Sequence, residues 1–220
     1  SAGDTHALFL DVDNNVLAMG HPRWGETGPY ALPVLETYTG MAPIHVGIKA
    51  NIITAGFARS AAVRVTDGSI LIWGQDEERQ PNGTPKPIPG NFTGVKDKAL
   101  TAYDLFFIAN TGELYRYSFD HNEPTPLGIF NVVELAANYY HMLVLDSSGN
   151  VFALGGNTYG QLGLGDFEPR VVPTLIPNIK AKAIGVGERH SLVVLTDGTV
   201  VTFGNNRAGM LGDGTEIDSN

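Results

Sequence analysis

One frame recurs five times along this chain, and a recurring frame decides architecture before any single residue does. Residues 141–166 read HMLVLDSSGNVFALGGNTYGQLGLGD, and residues 190–214 read HSLVVLTDGTVVTFGNNRAGMLGDG. Both run from a histidine through an apolar stretch, a turn ending in glycine and a second apolar stretch to Gly-x-Asn-x-x-Gly-x-Leu-Gly. Weaker copies are HALFLDVDNNVLAMG at 6–20, SAAVRVTDGSILIWG at 60–74 and DLFFIANTGELYRYS at 104–118. The turn position holds Asn14, Gly68, Gly112, Gly149 and Gly198. The residue eight earlier is His6, Ser60, Asp104, His141 and His190, and the residue six later is Gly20, Gly74, Ser118, Gly155 and Gly204.

Two short apolar runs around a turn such as Thr66-Asp67-Gly68-Ser69 make a β-hairpin, because Gly or Asn accepts the left-handed conformation that other residues resist. A small-residue step precedes four of the hairpins (Gly3, Gly56, Ala136-Ala137, Gly185 to Gly187), and a further apolar segment precedes most steps. Each unit therefore supplies three or four short strands. Such a sheet cannot bury both faces alone, so neighbours must stack. The turns are spaced 54, 44, 37 and 49 residues apart. A period in the forties built from strands reads as propeller blades.

Composition narrows the function classes. Lys and Arg number 14 against 23 Asp and Glu, a net charge of −9, with no basic cluster. Gripping nucleic acid by its phosphates needs a basic stripe, so direct nucleic-acid binding is disfavoured. Cysteine is absent, which removes disulfides, thiolate nucleophiles and sulfur metal sites. No run of apolar residues reaches the length of a membrane span.

The two strong copies resemble the regulator-of-chromosome-condensation repeat. The residues that carry the resemblance are His141 to Gly149, then Gly155-x-Asn157-x-x-Gly160-Gln161-Leu162-Gly163-x-Gly165-Asp166 and Pro173. They recur as His190 to Gly198 and Gly204-x-Asn206-x-x-Gly209-x-Leu211-Gly212. The third repeat departs from the pattern, with SFDHNEPTP in place of the Gly-Gln-Leu-Gly loop. The resemblance implies an all-β chain folded as a β-propeller, usually of seven blades. About five repeats are visible, at roughly 1–45, 46–97, 98–130, 131–178 and 179–220. They are expected to form a single propeller domain, incomplete at both ends and part of a seven-bladed ring.

The glycines at 155, 160, 163 and 165 invite a phosphate-loop reading. A phosphate loop needs a following helix, and Pro169 and Pro173 forbid one. Gly68, Gly112, Gly149, Gly198, Gly155, Gly160, Gly163, Gly204, Gly209 and Gly212 are therefore read as structural, with Asn157 and Gln161 bonding to backbone within their turn. His6, His141 and His190 share one repeat position, which points them away from one another around a ring. They are read as strand ties and not as a zinc site. Asp11-Val-Asp13-Asn14-Asn15 coincides with a hairpin turn and lacks the distal glutamate of a calcium loop. Ser60 and Ser191 lie at strand starts without a nucleophile elbow. No cofactor, metal, catalytic residue or small-molecule substrate is implied.

The variable loops after each second hairpin strand carry interface-type residues: Arg23, Trp24, Glu77, Glu78, Arg79, Phe119, Tyr159 and Arg207. Loops that differ on a repeating scaffold are where such folds place recognition. The expectation is a non-enzymatic module that binds another protein through one loop face. By resemblance, one alternative is nucleotide exchange on a small GTPase of the Ran type. A structural role, as in a virion or surface component, is another.

Overall fold

All five predicted turns close strand pairs. The computed structural model describes residues 1–20, 25–28, 43–75, 80–90 and 92–220, and among them no helix occurs. Strand β1 (His6–Leu10) pairs antiparallel with β2 (Asn15–Gly20), His6 opposite Gly20. The long β3 (Ile44–Ala55) pairs with β2 through its first half and with β4 (Arg59–Arg64) through its second. It thereby joins two blades in one six-stranded sheet that continues through β5 (Ile70–Gln75) to β6 (Pro81–Pro87). A four-stranded sheet follows: β7 (Asp97–Leu100), β8 (Asp104–Ile108), β9 (Leu114–Ser118) and β10 (Glu123–Pro126). A second contains β11 (Val132–Ala137), β12 (His141–Asp146), β13 (Val151–Gly155) and β14 (Arg170–Leu175). Three strands close the chain: β15 (Ala181–Val186), β16 (His190–Leu195) and β17 (Val200–Gly204).

The chain divides into two compact units, residues 1–110 with 115–125 and residues 111–114 with 126–220. In the first, Leu8, Val16 and Ala18 pack with Val46, Ala62 and Trp73, while Ala61, Val63 and Ile70 pack with Leu105, Phe107 and Tyr117. Ala61 and Ala62 point to opposite faces of β4, so that strand is covered on both sides by different neighbours. This is why its sequence, like the DLFFI of β8, reads as a continuous apolar run and not an alternation. In the second unit, Leu143, Leu145, Val151 and Leu162 pack with Val193 and Phe203.

The backbone corrects the sequence frame at one point. In all five repeats a backbone N–H donates to the carbonyl three residues later, and the accepting residue is the true repeat slot. The pairs are Gly3 to His6, Gly56 to Arg59, Thr101 to Asp104, Asn138 to His141 and Gly187 to His190. The slot residue of the second repeat is thus Arg59, which faces Gly74 as His141 faces Gly155 and His190 faces Gly204. Ser60 lies one position beyond it, opposite Trp73. The hairpin turn of that repeat is one residue longer than the others, and the extra residue slipped the sequence register.

Candidate interaction site

Antiparallel succession puts the loop before each slot and the loop after each second hairpin strand on the same edge of the sheet. Three layers of structure occupy that edge. Deepest is a tie between successive repeats. The Nε2 of His141 lies 2.8 Å from the Ser191 hydroxyl, which donates to the Gln161 carbonyl at 2.8 Å. His6 lies 2.7 Å from the Ser60 hydroxyl, which donates to the Glu26 carbonyl at 2.9 Å. Because each serine gives its proton to a carbonyl, the histidine must donate from Nε2. Both serines are fully buried. The pairs resemble a nucleophile and its base, but each hydroxyl proton points into backbone and no substrate reaches it. Burial pushes both His6 and His141 down to about 4. His6 and His141 are thus ties, each to a serine of the following repeat, which sequence alone did not reveal, whereas the Nδ1 of His190 is buried without a partner among the described residues.

The second layer is the glycine loop. Asn157 accepts from the Leu162 amide at 2.9 Å and donates to the Asp166 carbonyl at 2.9 Å, while Gln161 accepts from the Tyr159 amide at 2.9 Å. Asn206 repeats this arrangement with Leu211 at 2.9 Å and Thr215 at 3.0 Å. The Gly160 and Gly163 amides bond back to the carbonyls of Asn157 and Gly160. These amides are engaged within the loop and are not presented to an anion. The first repeat carries a disguised copy in Gly25-Glu26-Thr27-Gly28, as far from His6 as Gly160 is from His141. It has the same turn bond, from the Gly28 amide to the Gly25 carbonyl, with Glu26 and Thr27 buried. Asp11, read as a turn residue, accepts from the Asp13 and Asn15 amides at 2.9 and 2.8 Å.

The outermost layer, in the second unit, is a cluster of aromatic and cationic side chains. The Arg189 guanidinium donates from Nη1 to the Tyr159 hydroxyl at 3.0 Å and stands 5.3 Å from the Tyr159 ring centroid and 5.9 Å from that of Tyr140. Arg207, exposed, stands 5.7 Å from the same Tyr159 ring. The Tyr139 and Tyr140 rings lie 4.5 Å apart, tilted by 57°. Tyr159 and Arg207 were expected on this edge and are brought together there. Tyr139, Tyr140 and Arg189 were missed. They lie in the short loops just before the slot, whose length and composition carry no interface signal of their own. Phe119, also expected on the rim, is buried at 4% exposure, with the Arg59 guanidinium 4.1 Å above its ring. The short third-repeat turn draws it into the core beside Tyr117. Arg23, Trp24, Glu77, Glu78 and Arg79 lie outside the described residues.

Residues 148–194 match the regulator of chromosome condensation (RCC1) repeat, and a second form of the same repeat matches 132–161 and 181–209. Residues 132–209 thus carry regulator-of-chromosome-condensation repeats. The matched residues contain the His141–Ser191 tie and the first glycine loop of the second unit. The chain is 23% identical over 252 residues to the ultraviolet-B receptor UVR8 of Arabidopsis thaliana, covering 100% of this chain and 56% of that one. Among solved structures, human WBSCR16 superposes with a TM-score of 0.80 at 21% identity, over 99% of this chain and 64% of WBSCR16. Prp20p of Saccharomyces cerevisiae, studied for its binding to Gsp1p and histones, gives 0.59 at 16% identity, over 100% of this chain and 74% of Prp20p. The fold is a β-propeller of the RCC1 type. The chain spans little more than half the length of UVR8 and about two thirds of WBSCR16. Among the described residues, no helix is long and apolar enough to cross a membrane.

Proposed function

We propose that this RCC1-repeat chain is a non-enzymatic interaction module that holds a partner protein on the slot edge of its second unit, with Tyr159, Arg189 and Arg207 as anchors. The observation that carries the reading is the pair of arginines set around one tyrosine ring on an otherwise acidic chain. Tyrosine and arginine are the residues on which binding energy concentrates, and a fixed guanidinium loses little entropy on docking. Two guanidiniums no more than about 11 Å apart suit a partner surface that presents carboxylates. Below them the buried ties keep the edge rigid.

A second reading, nucleotide exchange on a Ran-type GTPase, is favoured by the likeness to Prp20p, also described as the yeast RCC1. Exchange needs no chemistry on the propeller, only a surface that prefers the nucleotide-free GTPase. Partner capture and release of labelled GDP, each run with the natural chain and with R189A/R207A, separate these readings. A partner lost in the double variant at unchanged melting temperature supports the interaction module. Accelerated GDP release supports exchange. A partner held equally by both proteins overturns the assignment of this edge.

A further inference from the structure

The first unit contains a cavity of about 340 Å³ between the outer strand β6 and the end of β9. That volume equals about eleven waters of bulk liquid and lies within the range of small-ligand pockets. One wall is apolar, with Ile72, Tyr117 and Phe119. Arg59 stands behind Phe119, locked by Nε to the Gln75 carbonyl at 2.7 Å and by Nη1 to the Ala102 carbonyl at 3.0 Å. The opposite wall comes from β6, where Asn82, Thr84 and Lys86 alternate along the strand and so share one face. Lys86 is exposed and makes no ion pair among the described residues. Among the described residues, no carboxylate side chain lines the cavity. In a chain of net charge −9, a space flanked by two cations, walled by rings and without an acid among its described lining residues suits an anion that also carries an apolar body.

We infer that this cavity binds an aromatic carboxylate, with the ring against Tyr117 and Phe119 and the carboxylate at the Lys86 ammonium and the Thr84 hydroxyl. The chemistry fits either a free aromatic acid or the C-terminal residue of a peptide ending in phenylalanine. The inference uses residues of the first unit only and is independent of the Tyr159 edge.

The test is titration of the full chain with phenylacetate, read by the Trp73 indole and Lys86 signals in NMR, with phenylacetamide as the neutral control. A saturable shift is expected, with a Kd on the order of a millimolar for so small a ligand. Binding should weaken about tenfold for the amide and for K86Q, because a charge-assisted bond is lost. The exposed substitution T84W, which fills the cavity, should abolish binding. N-acetyl-Gly-Gly-Phe is then compared with its C-terminal amide. Tighter binding of the free peptide acid than of phenylacetate assigns the site to a protein C-terminus, and equal or weaker binding assigns it to a free acid. The inference is overturned if no saturable shift appears at about ten times the expected Kd. It is also overturned if acid and amide bind alike, or if K86Q, folded by its melting curve, binds phenylacetate unchanged.

Discussion

At the scale of single residues, the molecule depends on polar side chains buried between its repeats. His6 and His141 are neutral in the folded chain because burial holds their pKa at about 4, whereas an unfolded histidine titrates near 6.5. Above pH 6.5 neither state takes up the proton, and the full stability is present. Between 6.5 and about 4 the unfolded chain binds two protons that the native chain refuses, so stability falls as the pH falls through this window, and these two groups add no further loss below it. The loss at pH 5 is expected to be about 2 kcal/mol per histidine, read as a drop in urea midpoint between pH 7 and pH 5. His141→Gln should be less stable at pH 7 yet show about half the pH dependence, and an unchanged slope would contradict the tie. Asn157 presents a parallel case without charge. Asn157→Ala leaves the buried Leu162 amide without its acceptor, and a loss of about 2–4 kcal/mol is expected in urea unfolding at neutral pH.

At the scale of the hairpin, the glycine at the end of the second strand in four of the five repeats is fixed by its partner strand. A Cβ at Gly155 would lie 2.4 Å from the Tyr140 carbonyl oxygen at a φ of +111°, and at Gly204 it would lie 2.5 Å from that of Arg189. Gly155→Ala is therefore expected to cost more than about 3 kcal/mol. Gly128, with a φ of +70° and open space around it, should cost only about 1–2 kcal/mol on the same change. Equal melting temperatures for the two variants would refute this account. Such elements were legible in the sequence because their chemistry is local: an Asp, a Gly and two apolar runs specify a hairpin wherever they occur. Pairings between repeats were not legible in the same way. An extra turn residue before Gly68 hid Arg59 in the slot and put Ser60 there instead. Gly25-Glu26-Thr27-Gly28 shares only its outer glycines with Gly160-Gln161-Leu162-Gly163, although both close the same turn. Phe119 looked exposed because its loop is polar, and only the packing beside Tyr117 reveals that it is core.

At the scale of the whole molecule, the net charge and the arginine pair act over different ranges. A charge of −9 opposes any polyanion at long range, while two arginines beside Tyr159 attract only within a Debye length, about 8 Å at physiological salt. Nucleic acid held by two such contacts would release about two counterions, against the six to ten of a typical DNA-binding surface. Two contacts are too few to offset the net repulsion, and duplex DNA is expected to give no shift at about 0.15 M salt. A protein partner escapes this limit because it also buries the tyrosines against apolar surface, and that contribution is insensitive to salt. R189A/R207A should accordingly leave the melting temperature nearly unchanged, since exposed substitutions of this kind alter stability by about 0.5 kcal/mol or less. The same variant should weaken the partner tenfold or more, the usual effect of removing two anchors of about 1 kcal/mol or above. Raising salt should weaken the natural chain and leave the double variant almost unaffected. If both proteins lose affinity in parallel as salt is raised, the charge that matters lies elsewhere on the chain and the Tyr159 edge is not the binding surface.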